Sequence, residues 1–81
     1  MLWKYWYENM NNNVGIRLKE FRNTYGFTQA QVADYLMISQ PYFSKLENGK
    51  ISLKLSYLNK LCVLYNCSPE YILEGKMMFL I

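Results

Sequence analysis

Gln40 and Ser44 stand four residues apart, each followed by Pro41 and Lys45 in turn, so on a helix the four side chains form two adjacent rows of one polar face. A glutamine amide presents a donor beside an acceptor, the pattern that pairs with N6 and N7 of adenine. A lysine ammonium can donate to guanine or to a phosphate, and Pro41 can offer a thymine methyl only apolar contact. Phe43 and Leu46, three apart, point the other way, into a core. Tyr42 sits at the edge of the polar face, within reach of a phosphate. Asn48-Gly49 stops the element. The plain alternative for any such face is solvation, and the pattern alone does not choose between the two.

A reading helix needs a scaffold, and the flanking sequence supplies one. Val14, Leu18, Phe21 and Tyr25 follow the spacing of an amphipathic helix that starts after the Asn11-Asn12-Asn13 cap and ends at Gly26. Thr28 caps a second helix with Val32, Ala33 and Leu36 inward. Its neighbour Gln29 can then turn a side-chain amide, beside the helix N-terminal amides, toward a phosphate. Residues 37–39 connect it to the third helix, about 40–47. A proline disfavours the α region in the residue before it, so that helix is expected to begin at Pro41 with Gln40 as its cap. A fourth helix is expected over roughly 53–65, with Leu55, Leu58, Leu61, Cys62 and Tyr65 buried, Ser52 as its cap and Asn66 as its left-handed end. Ser68-Pro69-Glu70 reads as cap, proline and first-turn acid of a short fifth helix that stops near Gly75. Residues 2–7, Leu-Trp-Lys-Tyr-Trp-Tyr, read instead as a short strand.

The chain has 81 residues, which makes one domain, a bundle at 14–74 with terminal extensions at 1–13 and 76–81. A domain this small buries only about 60% of its unfolded surface, so its 52% hydrophobic content must go into a core or under a partner. The net charge of +3 is localised. Arg17, Lys19, Arg22, Lys45, Lys50 and Lys54 face only Glu20, Asp34 and Glu47 between residues 14 and 54, while the charges outside cancel. A basic central region suits a phosphate surface. Cys62 and Cys67, with no histidine in the chain, do not make a zinc site. They read as two buried thiols, a disulfide being the alternative, and no metal or cofactor is expected. No secretory signal is visible, and no run approaches the roughly 20 apolar residues of a membrane span. With no histidine, one aspartate and four isolated glycines, the chain offers neither a catalytic constellation nor a phosphate loop, and an enzyme is not expected.

Gly26-Phe27-Thr28-Gln29, Val32-Ala33, Ile38-Ser39-Gln40 and Leu46-Glu47-Asn48-Gly49-Lys50, taken together at these spacings, resemble the Cro/phage-repressor (Xre-type) helix-turn-helix family over about residues 14–74. The resemblance implies an all-α, five-helix, lambda-repressor-like bundle that binds double-stranded DNA through the helix at about 40–47. It implies base reading by Gln40, Pro41, Ser44 and Lys45, and phosphate contacts from Thr28, Gln29, Tyr42, Asn48 and Lys50. It also implies a partly buried ion pair between Arg22 and Glu47 that positions the third helix. Two departures stand out. Met37 occupies a position that is often glycine in the family, which strains it by on the order of 1 kcal/mol if its φ is positive. Pro41 is unusual in the first turn of a reading helix.

One such module reads only a few base pairs, and members of the family usually dimerise on half-sites about 34 Å apart. The apolar ends, Leu2, Trp3, Tyr5 and Trp6 with Met78, Phe79 and Leu80, are therefore expected at the interface of a homodimer. A two-stranded β ribbon between them is one form this could take, and disordered ends are the other. Met10 is an alternative start of the chain. The function implied is a transcriptional regulator, a repressor acting at an inverted repeat in the bacterial cytoplasm and encoded by a bacterium, phage or mobile element. The competing reading is an antitoxin or interaction protein that uses its apolar C-terminal tail on a protein partner, with DNA binding secondary.

Overall fold

Five helices make up the computed structural model, which describes the backbone of residues 2–75 and the side chains of 13–75: α1 Leu2–Tyr25, α2 Gln29–Leu36, α3 Gln40–Glu47, α4 Leu55–Tyr65 and α5 Pro69–Glu74. Their starts follow from side-chain chemistry. Thr28 accepts the Gln31 N–H at 3.1 Å while the Gln31 side chain accepts the Thr28 N–H at 2.9 Å, a reciprocal box that satisfies two end groups of α2. Ser68 accepts from Tyr71 N–H, with Pro69 and Glu70 completing the start of α5. Gly26 and Gly75 take positive φ where α1 and α5 end.

The helices meet on one core. Leu18 of α1, Phe43 of α3, Leu61 of α4 and Ile72 of α5 are fully buried, with Val32 and Leu36 of α2 beside them. Each such side chain contributes about 1.5–3 kcal/mol through removal from water. α1 packs on α3 and α5, α2 on α3, and α4 on α5. Arg17 fastens the last helix to the first. Its Nε and Nη2 donate to the Ile72 and Leu73 carbonyls, both at 2.6 Å, where the negative end of α5 favours a cation.

Four expectations are corrected. Residues 2–7 are helical, part of a 24-residue α1, so the strand and the N-terminal half of a β ribbon are absent. Aromatic β-preference is weak away from a sheet, and three asparagines cost less than the nucleus that α1 already has. The side chains of Leu2, Trp3, Tyr5 and Trp6, and all of Met78, Phe79 and Leu80, lie outside the described residues. In α3 the cap is Ser39, which accepts the Tyr42 N–H at 3.2 Å, and Gln40 is already helical. Pro41 at the next position has no N–H to leave unsatisfied. α4 starts at Leu55 with Lys54 as its N-cap residue, and Leu55, in this first turn, is 69% exposed. Tyr25, at the end of α1, is half exposed, and Cys62 and Cys67 are only partly buried.

Met37 ends α2 at φ 60°, ψ 40°, and its side chain is 85% exposed, so it gains little from burial to offset a left-handed backbone. Met37→Gly is expected to stabilise the fold by about 0.5–1 kcal/mol, after allowance for the added freedom of the unfolded chain. Chemical denaturation of the two proteins checks this, and a loss of stability would show that the turn is not strained.

Tyr65 runs from the end of α4 into an aromatic cluster, stacked on Phe21 at 5.0 Å between ring centres. Its hydroxyl is buried and has no hydrogen-bond partner among the described residues. Burial first, and the Glu47 charge second, push its pKa up to about 12. An unfolded tyrosine ionises near 10, so between about pH 10 and 12 the unfolded state sheds a proton that the folded state keeps. Stability therefore falls through that window, by about 2 kcal/mol for this residue. Tyr65→Phe should be near neutral at pH 7, since it removes an unpaired buried group, and should flatten the alkaline decline. Urea titrations at pH 8 and pH 11 test it: an equal decline in both proteins would exclude Tyr65 as the source.

Candidate nucleic-acid interface

α2 and α3 form a helix-turn-helix, and a run of polar side chains leads from the core to the outer face of α3. At its base, Arg22 grips Glu47 in a fork, Nε to Oε2 at 2.7 Å and Nη2 to Oε1 at 3.2 Å, and donates a third bond to the Phe27 carbonyl at 3.0 Å. The Glu47 side chain is only 2% exposed and that of Arg22 13%. The bond to Glu47 holds the guanidinium above its ordinary pKa against the opposing effect of burial. Such a pair persists in a near-dry site because every charge is matched in direction as well as in sign.

Glu47 has a second neighbour. Gln29, first residue of α2, donates Nε2 to Glu47 Oε1 at 2.9 Å, and its Oε1 accepts from Gln40 Nε2 at 3.5 Å. The direction is forced. A carboxylate can only accept, so the Gln29 nitrogen must face Glu47 and its oxygen must face Gln40. Gln40 in turn must aim its nitrogen at Gln29. One amide hydrogen and the carbonyl oxygen of the exposed Gln40 take no part in this contact, and they are the pair that complements adenine N7 and N6. The proline that follows Gln40 leaves it in the helix, exposed on the first turn.

The other candidate residues fall around this axis. Gln40, Pro41 and Lys45 are exposed, and Ser44 is partly covered because the Asn48 amide donates to its hydroxyl at 3.4 Å. Asn48 and Lys50 are exposed in the loop that follows α3. Thr28 is exposed too, its oxygen used in the cap. Gln29 is half-buried and commits its side chain to Glu47 and Gln40, so its backbone N–H and one amide hydrogen are what it has left for a phosphate. Tyr42 is held edge-on by Tyr57, ring centres 6.2 Å apart.

Two cations join the site that their sequence positions do not single out. Lys54 lines a groove with Ser39, Tyr42 and Tyr57 at the start of α3, and Lys19 lines a cleft with Asn23 and Asn48 at its end. Both are exposed. α3 thus has a lysine beyond each end, a disposition that fits a backbone passing on both sides of a groove. Only the basic excess of the central region hints at them. Among the described residues no cluster of three or more His, Cys, Asp or Glu could hold a metal, and no helix is long and apolar enough to cross a membrane.

Comparison with known proteins agrees with the helix-turn-helix fold. The helix-turn-helix family matches residues 18–72. A prophage-derived (SPbeta) uncharacterized HTH-type transcriptional regulator of Bacillus subtilis strain 168, YonR, is 36% identical over 61 residues. That alignment covers 75% of this chain and 56% of that protein, so the chain spans a little over half the length of the relative it matches. The family match covers α2, the turn, α3 and the core that supports them, and the chain belongs to the Xre/Cro-like helix-turn-helix family.

Proposed function

We propose that this chain is a sequence-specific DNA-binding transcriptional regulator that lays α3 in the major groove. The observation that carries the reading is the bond series from Arg22 through Glu47 and Gln29, which ends on the exposed amide of Gln40. A solvated face has no need of such a constraint. Gln40 reads an adenine, Ser44 and Lys45 reach neighbouring base edges, and Pro41 supplies apolar contact. Thr28, Gln29, Tyr42, Asn48 and Lys50 hold phosphates, with Lys19 and Lys54 beyond the two ends of the helix. The protein acts as a homodimer on an inverted repeat and represses by covering a promoter in the cytoplasm, since one α3 spans too few base pairs to be selective alone. The prophage origin of YonR supports a phage or mobile-element setting.

A site selected from random duplexes provides the test. Gln40→Ala is expected to lose about 1–3 kcal/mol of discrimination at one base pair in each half-site and to retain non-specific binding. Lys50→Ala should weaken all sequences alike and lower the slope of log K against log salt by about 0.9 for each phosphate that is no longer neutralised. If both variants bind as the parent does, α3 is not the reading element. A footprint without two-fold symmetry would exclude the dimer.

A further inference from the structure

Cys62 and Cys67 play no part in the DNA face, yet the end of α4 brings them together. Asn66 adopts φ 51°, ψ 54°, and the chain reverses so that the Cys67 N–H donates to the Cys62 carbonyl at 3.1 Å. This is the six-to-one closure of a helix C-terminus, which sets the side chains of its first and last residues against each other. Here both are thiols, and both are free. Both residues are partly exposed, and Cys67 forms part of the wall of an open cleft with Phe21, Tyr25, Asn66 and Tyr71.

We propose that Cys62 and Cys67 are an oxidisable dithiol that closes to an intrachain disulfide at the α4–α5 corner. The backbone reversal brings together two residues five apart, the approach that a disulfide needs. Burial raises both thiols, and it carries Cys67 the further, to about 11. Cys62 is therefore the attacking sulfur. Its thiolate displaces one half of a small oxidised disulfide, which leaves as a thiol after taking up a proton. The Cys67 sulfur, on losing its proton, then attacks Cys62 of the mixed disulfide and releases the second half as a thiol. Two protein thiols are oxidised by two electrons, and one small disulfide is reduced to two small thiols. The new bond ties the end of α4 to the residue before the Ser68 cap of α5. A peroxide, which needs a standing thiolate, reacts slowly with so protonated a pair at neutral pH.

The test uses the full chain and oxidised glutathione. Both free thiols are expected to vanish together, with an intact mass lower by two hydrogen atoms, no retained glutathione and no change in chain number. The rate should still be rising at pH 9, because burial holds the Cys62 thiol above its ordinary range. Cys67→Ser should instead accumulate the glutathione adduct on Cys62, and Cys62→Ser should react several-fold more slowly than Cys67→Ser. A disulfide between chains, a stable adduct on the parent protein, or two thiols that survive conditions oxidising an unstructured dithiol peptide would each overturn the proposal. A faster Cys62→Ser variant would overturn the assigned order. None of these readouts depends on DNA binding.

Discussion

Glu47→Ala is expected to destabilise the fold by about 3–5 kcal/mol, because removal of one partner leaves a desolvated charge behind. Glu47 receives three side-chain hydrogen bonds, two from Arg22 and one from Gln29, in a position where its side chain is 2% exposed. Alanine leaves the guanidinium with only the Phe27 carbonyl and frees the Gln29 amide. For a domain of this size the loss approaches the whole stability margin and lowers Tm by on the order of 20 °C. Stability alone does not establish what the pair is for, and a second variant separates the two roles. Arg22→Met with Glu47→Leu replaces both charges by apolar side chains and is expected to recover most of the stability, as buried pairs generally allow. It cannot recover the direction of the Gln29 amide. The double variant should therefore fold, bind DNA non-specifically, and lack discrimination at the base pair that Gln40 reads. Thermal melts with competition binding against single-base variants of the selected site check both parts. A folded double variant with parental discrimination would show that the ion pair only supports α3 and does not aim Gln40.

Much of this scaffold is legible in the sequence because helix ends are written in local chemistry. Thr28, Ser68-Pro69-Glu70, Asn66 and the glycines at 26, 49 and 75 act within four residues of where they stand, and the observed boundaries of α2 and α5 follow from them. The start of α3 differs by one residue from expectation, since the Ser39 hydroxyl competes with the effect of Pro41 on Gln40 and prevails. Residues 2–7 are helical rather than extended for a related reason. Residue preference yields there to the extension of a helix that is already nucleated.

Residues of the site are less legible than the helices that carry them. Gln29 reads as a phosphate ligand because it follows a cap, but the structure gives its side chain to Glu47 and Gln40, a contact across 18 and 11 residues that no local rule contains. Lys19 and Lys54 are invisible as individuals because their place beside α3 depends on how α1 packs on it and how the chain before α4 returns to it. Side chains whose role is set by a neighbour on the same turn can be read from spacing. Those set by helix crossing need the packed molecule.

Gly15→Ala is expected to destabilise the protein by about 2–3 kcal/mol, although helix preference argues for the opposite sign. Gly15 lies inside α1, where alanine would ordinarily gain about 1 kcal/mol. It is buried, and it is where α1 crosses the end of α3: an added Cβ would run into the Glu47 carbonyl oxygen and meet the Leu46 carbonyl oxygen at 2.8 Å. Both are backbone atoms, so no rotamer change relieves the clash. Either α1 moves off α3 and opens the layer that holds Leu18, Phe43 and Leu46, or the last turn of α3 unwinds. Overpacking of this kind typically costs about 1–3 kcal/mol, and with backbone on both sides the upper part of that range, or more, applies. The strain falls on Glu47 itself, so DNA discrimination should decline along with stability, whereas alanine at the exposed neighbour Ile16 should change neither by more than about 0.5 kcal/mol. Denaturant unfolding of the two variants decides the sign. Stabilisation by Gly15→Ala would mean that α1 and α3 do not approach through this glycine, and the base of the Arg22–Glu47–Gln29–Gln40 series would have to be drawn differently.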